Sequence, residues 1–210
     1  MPTAEPLATA QAPALRDRIL SAAFQTFMEH GFSGASTLDI AKRAKVSKRD
    51  LYAHFGSKQA MLAACIAARA ERMRVSLHLP VPRNHAALRQ TLIEFGATVV
   101  REVSTPQVLA VHRLALTEAE NSPDVARTLD TIGRAATREA LSRMLAGAQS
   151  AALLGAGNAG AMADDFTAIL WRGGLMLRLL LRTAPPPGAK ECERRARAAA
   201  DALLRLYPPP

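Results

Sequence analysis

Ser36-Thr37-Leu38-Asp39-Ile40-Ala41-Lys42-Arg43-Ala44-Lys45-Val46-Ser47-Lys48-Arg49-Asp50-Leu51-Tyr52-Ala53-His54-Phe55 is the stretch whose reading decides the fold. Two short segments, Ser36–Ala44 and Ser47–Phe55, each open on a serine with an aspartate three residues on, the pattern of a capping box. Only Lys45-Val46 separates them, which leaves room for a tight turn and nothing more. Two short helices so joined form a helix-turn-helix. At about 100° per residue, Lys48, Arg49, Tyr52 and Ala53 share one side of the second helix, and Leu51 and Phe55 occupy the neighbouring side. Such a helix packs on a domain with its greasy side and offers lysine, arginine and tyrosine to a major groove. Lysine and arginine donate to guanine O6/N7 or to phosphate, and a tyrosine hydroxyl donates to phosphate. The helix starts at Ser36, Ser47 and Ser57 add backbone N–H groups and positive dipole ends.

Charge around this stretch points the same way. The 210-residue chain carries 27 Lys+Arg against 18 Asp+Glu, a formal net charge of +9, which leaves nucleic acid or an anionic surface as a partner. Four of the five lysines (Lys42, Lys45, Lys48, Lys58) fall within 17 residues, joined by Arg43 and Arg49 and opposed only by Asp50. A solvated basic face is the plain alternative, and Lys42 and Arg43 are read as solvated, contributing only long-range field.

The rest of the chain reads as helix. Alanine (43) and leucine (27) dominate and strand formers are scarce, so the fold class is all-α. A first helix from about Pro13 to His30 carries the apolar stripe Leu15, Ile19, Leu20, Ala23, Phe24 and Phe27, with Gly31 as its stop. Ser57 opens a helix to about Leu77, and Leu79-Pro80-Val81-Pro82 marks a corner. Further helices are expected at about His85–Ser104, from Thr105-Pro106 to Glu120, and from Ser122-Pro123 to Ala152 with a break near Gly133. One helix is expected over Ala161–Arg182 and the last over Ala189–Leu206. Residues 1–12 read as a disordered tail, 13–57 as a three-helix DNA-binding domain, and 58–207 as a larger helical domain. The apolar run Ile169–Leu181 is interrupted by Arg172, Gly173, Gly174 and Arg178 and is too short to span a bilayer, so no membrane association is expected. Cys65 and Cys192 lie far apart without metal-ligand spacing, which points to a reducing, cytoplasmic setting and to no metal or other cofactor.

The run from Gly31-Phe32 through Leu51-Tyr52-Ala53-His54-Phe55-Gly56-Ser57-Lys58 to Met61-Leu62 resembles the DNA-binding domain of the TetR family of bacterial transcriptional regulators. The string Leu-Tyr-x-His-Phe-x-Ser-Lys is its most specific part. The resemblance implies that Lys48 and Arg49 read bases and that Tyr52 and His54 contact or position phosphate. It also implies that Ser36, Thr37, Ser47 and Lys58 meet phosphate at helix starts. Pairing with Asp50 is the plain alternative for His54. Three positions depart from the family pattern: Lys45 stands where glycine is frequent, Leu38 where a polar residue is frequent, and Ala35 where threonine is frequent.

The resemblance further implies a homodimer on palindromic double-stranded DNA and a small-molecule effector bound inside the larger domain. For the dimer face we read Phe166, Leu170, Leu177 and Leu181 on one side of a single helix, Gly173 and Gly174 allowing close approach, and Leu203 and Leu206 on the last helix. For the effector pocket we read Phe95, His112, Leu116, Met144 and Trp171, a mainly apolar set that favours a lipophilic or aromatic compound. The family role is more often repression than activation. Two other classes compete. A sequence-nonspecific basic DNA-packaging protein would spread its charge more widely. A helical metalloenzyme would need His-x-x-x-His, Glu-x-x-His or nucleophile–base spacing, which His78, His85 and His112 do not supply. The chain is therefore read as no enzyme.

Overall fold

The computed structural model describes residues 8–75, 82–120 and 123–210, with side chains over 14–68, 82–120 and 123–210 apart from 132. In order, the helices are α1 (Ala8–Gly34), α2 (Thr37–Ala44), α3 (Lys48–Phe55), α4 (Lys58–Val75), α5 (His85–Val103) and α6 (Pro106–Thr117). Then come α7 (Pro123–Leu129), a π-helical turn (Asp130–Ala135), α8 (Ala136–Ser150), α9 (Ala159–Leu170), α10 (Leu175–Leu180) and α11 (Ala189–Leu206). No strand occurs among the described residues, so the all-α reading holds. None of the described helices is long and apolar enough to cross a membrane.

Several boundaries move for identifiable reasons. Helix α1 starts at Ala8, inside the expected tail; residues 1–7 lie outside the described residues. Gly31 does break α1, at φ 72 and ψ 175, and one further turn runs on to Gly34. The end expected for α4 at Leu77, the corner at 79–81 and the cap at Ser122 lie outside the described residues. The long helix expected over Ala161–Arg182 is two helices: Gly173 (φ 75) and Gly174 (φ 65) take left-handed conformations and end its continuity. The break expected near Gly133 is a π-helical turn.

The residues sort into two units. The first takes the chain up to residue 69 together with Leu114–Leu129. Here α1 packs on α2 and α2 on α3. Ile19, Ala23, Phe27, Ile40, Ala44, Leu51, Met61 and Leu62 are almost wholly buried, and the Phe27 and Phe32 rings sit 5.7 Å apart. The α4 residues Met61, Leu62, Cys65 and Ile66 complete this core, so the first unit reaches past the expected boundary at Ser57–Lys58.

The second unit holds residues 70–113 and 130–210. Helix α11 packs along α5 and α9, and α8 lies against α9. Ala196, Ala199 and Ala200 on α11 are fully buried, and a Cβ at Gly96 of α5 would lie 3.0 Å from both the Ala196 Cβ and the Phe166 Cζ. Small side chains thus set the α5–α11 approach, the structural use of the alanine-rich composition. Two ion pairs brace the exposed edges: Arg89 on Asp201 at 2.7 and 3.1 Å, and Arg138 on Asp164 at 2.7 and 2.9 Å.

Basic side chains close helix ends throughout. In the first unit Arg18 Nε donates to the Ala44 carbonyl (2.8 Å) at the end of α2. In the second, Arg113 donates to the Leu179 and Leu180 carbonyls (2.7 and 2.8 Å) at the end of α10, and Arg195 to those of Leu170 and Arg172 (3.2 and 3.0 Å) beyond α9. The last four carbonyls of a helix lack partners within it, and guanidinium donors supply them. Part of the positive charge is therefore structural.

Candidate nucleic-acid interface

The tight turn between α2 and α3 has the predicted form. Lys45 adopts φ 54 and ψ 49, and its N–H reaches the Lys42 carbonyl at 3.1 Å, while Val46 N–H reaches that of Ala41 at 3.0 Å. A non-glycine residue bears the left-handed conformation here, a modest strain that glycine would relieve. The two caps differ. Ser47 forms the full box: the Asp50 N–H donates to its Oγ at 3.0 Å, and the Ser47 hydroxyl and N–H donate to Asp50 Oδ2 at 2.6 and 3.3 Å. The Ser47 hydroxyl is the chief cause holding the Asp50 carboxyl below its ordinary pKa. Ser36 accepts instead from the Leu38 N–H at 3.1 Å, and Asp39 returns no bond, so the box expected there is a single cap. Ser47→Ala is expected to lower unfolding free energy by about 1 kcal/mol, readable from the urea midpoint. An unchanged midpoint would deny the cap that contribution.

Lys48, Arg49, Tyr52 and His54 are all exposed on α3, while Leu51 and Phe55 are buried beneath it. The Lys48 ammonium lies 5.9 Å from the centroid of the Tyr52 ring, and the Tyr52 hydroxyl donates to Thr37 Oγ1 at 3.4 Å. That bond sets the first turn of α2 beside the reading side of α3. Arg49 has no ion-pair partner among the described residues. Asp50 is occupied by Ser47, and His54 forms no hydrogen bond with it, leaving only a minor charge attraction between the two. The interface groups Ser36, Thr37, Ser47, Lys48, Arg49, Tyr52 and His54 thus stand on adjoining elements.

Two basic residues have other duties. Lys58 donates to the carbonyls of Ser33 (3.4 Å) and Ala35 (3.2 Å), with its ammonium 4.7 Å from the Phe32 ring centroid. Its charge closes the turn after α1. Arg43 is not merely solvated: it pairs with Glu29 at 2.6 Å and reaches Thr26 Oγ1 at 3.4 Å, tying α2 to α1. Sequence spacing missed Arg18 and also Arg16, whose guanidinium lies 5.6 Å from the Phe55 ring centroid under α3. Both sit on α1 more than 25 residues from their partners, and no local pattern signals such a contact.

In the second unit, Phe95 and Met144 belong to one buried cluster with Trp171 packed against it, and the Phe95 and Phe166 rings lie 6.1 Å apart. Leu116 does not join them; it is 64% exposed and belongs with the first unit. His112 on α6 is half-buried, with Nδ1 2.9 Å from the Val108 carbonyl, an arrangement that requires the Nδ1–H tautomer. Burial pushes its pKa below the ordinary value, against the opposing pull of that bond. A lowered folded-state pKa means that the unfolded chain binds the proton more readily. The contribution is therefore full above the unfolded pKa of about 6.5 and is lost as pH falls through the lower folded value. The urea midpoint is expected to decline on acidification through this range, with a shallower decline in His112→Gln; identical slopes would assign the effect elsewhere.

The expected dimer face divides. Phe166, Leu170 and Leu203 are 0–1% exposed and are consumed by the chain's own core. Leu177, Leu181 and Leu206 are exposed, and a Cβ on Gly173 or Gly174 would meet nothing within 4 Å. The break at those glycines turns the intended single stripe into a buried half and an exposed half.

These features define a helix-turn-helix DNA-binding protein with a separate helical domain. "Bacterial regulatory proteins, tetR family" matches residues 19–65, and "AefR-like transcriptional repressor, C-terminal domain" matches residues 90–209. The chain belongs to the tetR family: it is a DNA-binding transcription regulator, not an enzyme. It is 33% identical over 119 residues to the HTH-type transcriptional regulator UidR of Escherichia coli, a match covering 57% of this chain and 59% of UidR. It is 31% identical over 107 residues to the HTH-type transcriptional repressor NicS of Pseudomonas putida, covering half of each. The chain thus spans less than two thirds of the length of these relatives. Among solved structures, the flavonoid-responsive regulator FrrA is similar at TM-score 0.78 and 31% identity, over 93% of this chain and 97% of FrrA.

Proposed function

We propose that the protein is a ligand-responsive repressor that binds a palindromic operator as a homodimer and is released by a small, mainly apolar effector. The observation that carries the DNA-binding half is the exposed Lys48–Arg49–Tyr52 face, backed by the buried Leu51 and Phe55. In this reading Lys48 and Arg49 read bases, Tyr52 and His54 meet or position phosphate, and the starts at Ser36, Thr37 and Ser47 add backbone donors. One short helix contacts too few base pairs for specificity, so two copies on successive half-sites are required. Leu177 on α10, Leu181 just past its end and Leu206 on α11 are the exposed apolar residues of this set left to a second copy. NicS, a repressor, supports repression.

The effector site is assigned to the aromatic cluster around Phe95, Met144 and Trp171, with His112 as a polar group. FrrA is flavonoid-responsive, which supports a planar aromatic effector over an aliphatic one. Release follows from differential affinity: the effector binds better to a form whose recognition helices are wrongly spaced for DNA. A DNA partner supports a cytoplasmic location.

The test is selection from random duplexes at near-physiological salt, followed by challenge of the bound complex with a flavonoid panel. The expected result is a palindrome with half-sites one helical turn or a multiple apart, released by at least one aromatic compound. Binding without sequence preference would favour a packaging role and overturn the reading.

A further inference from the structure

Leu38 is 49% exposed in the first turn of α2, a large aliphatic side chain in water within the segment that carries Lys42, Arg43, Lys45, Lys48 and Arg49. In the helix-turn-helix segment it and Tyr52 are the exposed large hydrophobics. Helix geometry places it one turn before Lys42, on the opposite flank from Arg43, which is tied back to Glu29 of α1. The neighbouring residue, Thr37, takes the hydrogen bond from the Tyr52 hydroxyl. Leu38 thus follows directly on the residue that meets Tyr52, whose ring lies under the Lys48 ammonium, and its own side chain stays exposed.

We propose that Leu38 is a specificity-determining residue that recognises a thymine C5-methyl group in the major groove. This rests on the DNA-binding reading above. The chemistry is restricted: an aliphatic side chain neither donates nor accepts a hydrogen bond, and the thymine methyl is the apolar group that the major-groove edges of the bases present. Burying it against leucine gives preference for an A·T pair at a position beside the pairs read by the basic residues. The half-site therefore combines guanine, read by Lys48 or Arg49, with a thymine at the α2 edge. Polar side chains at this position would read an amino or carbonyl group of a base edge, or only phosphate; leucine exchanges that for a methyl reader.

The test replaces each thymine of the selected operator half-site, one at a time, by deoxyuridine, which removes the methyl and leaves every hydrogen-bonding group in place. Binding of the full chain is measured for the wild type and for Leu38→Ala. One thymine is expected to matter, with affinity falling about fourfold per half-site, the worth of one buried methyl-sized group. Leu38→Ala is expected to bind thymine and uracil duplexes alike at that position. Wild-type binding indifferent to uracil at every thymine would overturn the proposal without requiring the variant. A Leu38→Ala protein as sensitive as the wild type would also overturn it. Absence of any sequence-selective binding would instead overturn the DNA-binding reading on which it rests.

Discussion

Lys48→Ala combined with Arg49→Ala is expected to weaken operator binding by about a hundredfold or more and to erase most of the preference for operator over scrambled duplex. The magnitude follows from the worth of a base-edge contact, about 1–3 kcal/mol each. Both side chains are exposed, and neither forms a hydrogen bond or ion pair holding the domain together, so the doubly substituted chain should keep its fold. Lys48 does lie over the Tyr52 ring at 5.9 Å, an exposed contact of minor energetic weight. Circular dichroism and the urea midpoint should therefore be near those of the wild type. The informative readout is the pair of affinities, operator and scrambled, at one salt concentration. An equal loss on both would mean that the two residues touch only phosphate and that sequence is read elsewhere.

Phe166→Ala is expected to destabilise the second unit by about 3–5 kcal/mol, the usual cost of emptying a phenylalanine site in a packed core. Phe166 is wholly buried, its ring lies near that of Phe95, and its Cζ faces Gly96 on α5. The expected signature is a lowered urea midpoint at all protein concentrations. A midpoint that changes only at low concentration would show that the ring serves an interface between copies instead.

The all-α class, the helix-turn-helix and the Ser47 cap were legible because each depends on local pattern. Serine before a helix, aspartate three residues on, and a two-residue link dictate geometry within a few bonds. The apolar stripe of α1 was legible for the same reason, since Ile19, Ala23 and Phe27 repeat at helical spacing and are buried. What depends on long-range contact was not legible. Arg18, Arg113 and Arg195 look like surface charge in the sequence, yet they cap helices 26, 66 and 25 residues away. Lys58 looks like a phosphate ligand but closes the turn after α1. In the sequence Gly173-Gly174 looks like a close-packing site inside one helix; two successive left-handed residues make it a break. That break is why Phe166 and Leu170 part from Leu177 and Leu181. Leu116 resembles the pocket residues in size alone, and its exposure sets it apart from them.

The central claim, that α3 reads a specific sequence, is tested most directly by one ratio: affinity for a selected operator over affinity for a scrambled duplex of equal length and charge, at one near-physiological salt concentration. The account predicts a ratio of about a thousand or more, the lower end of the range for specific regulators. A ratio near one, with tight and strongly salt-dependent binding to both duplexes, would contradict it and leave a basic protein held by phosphate alone.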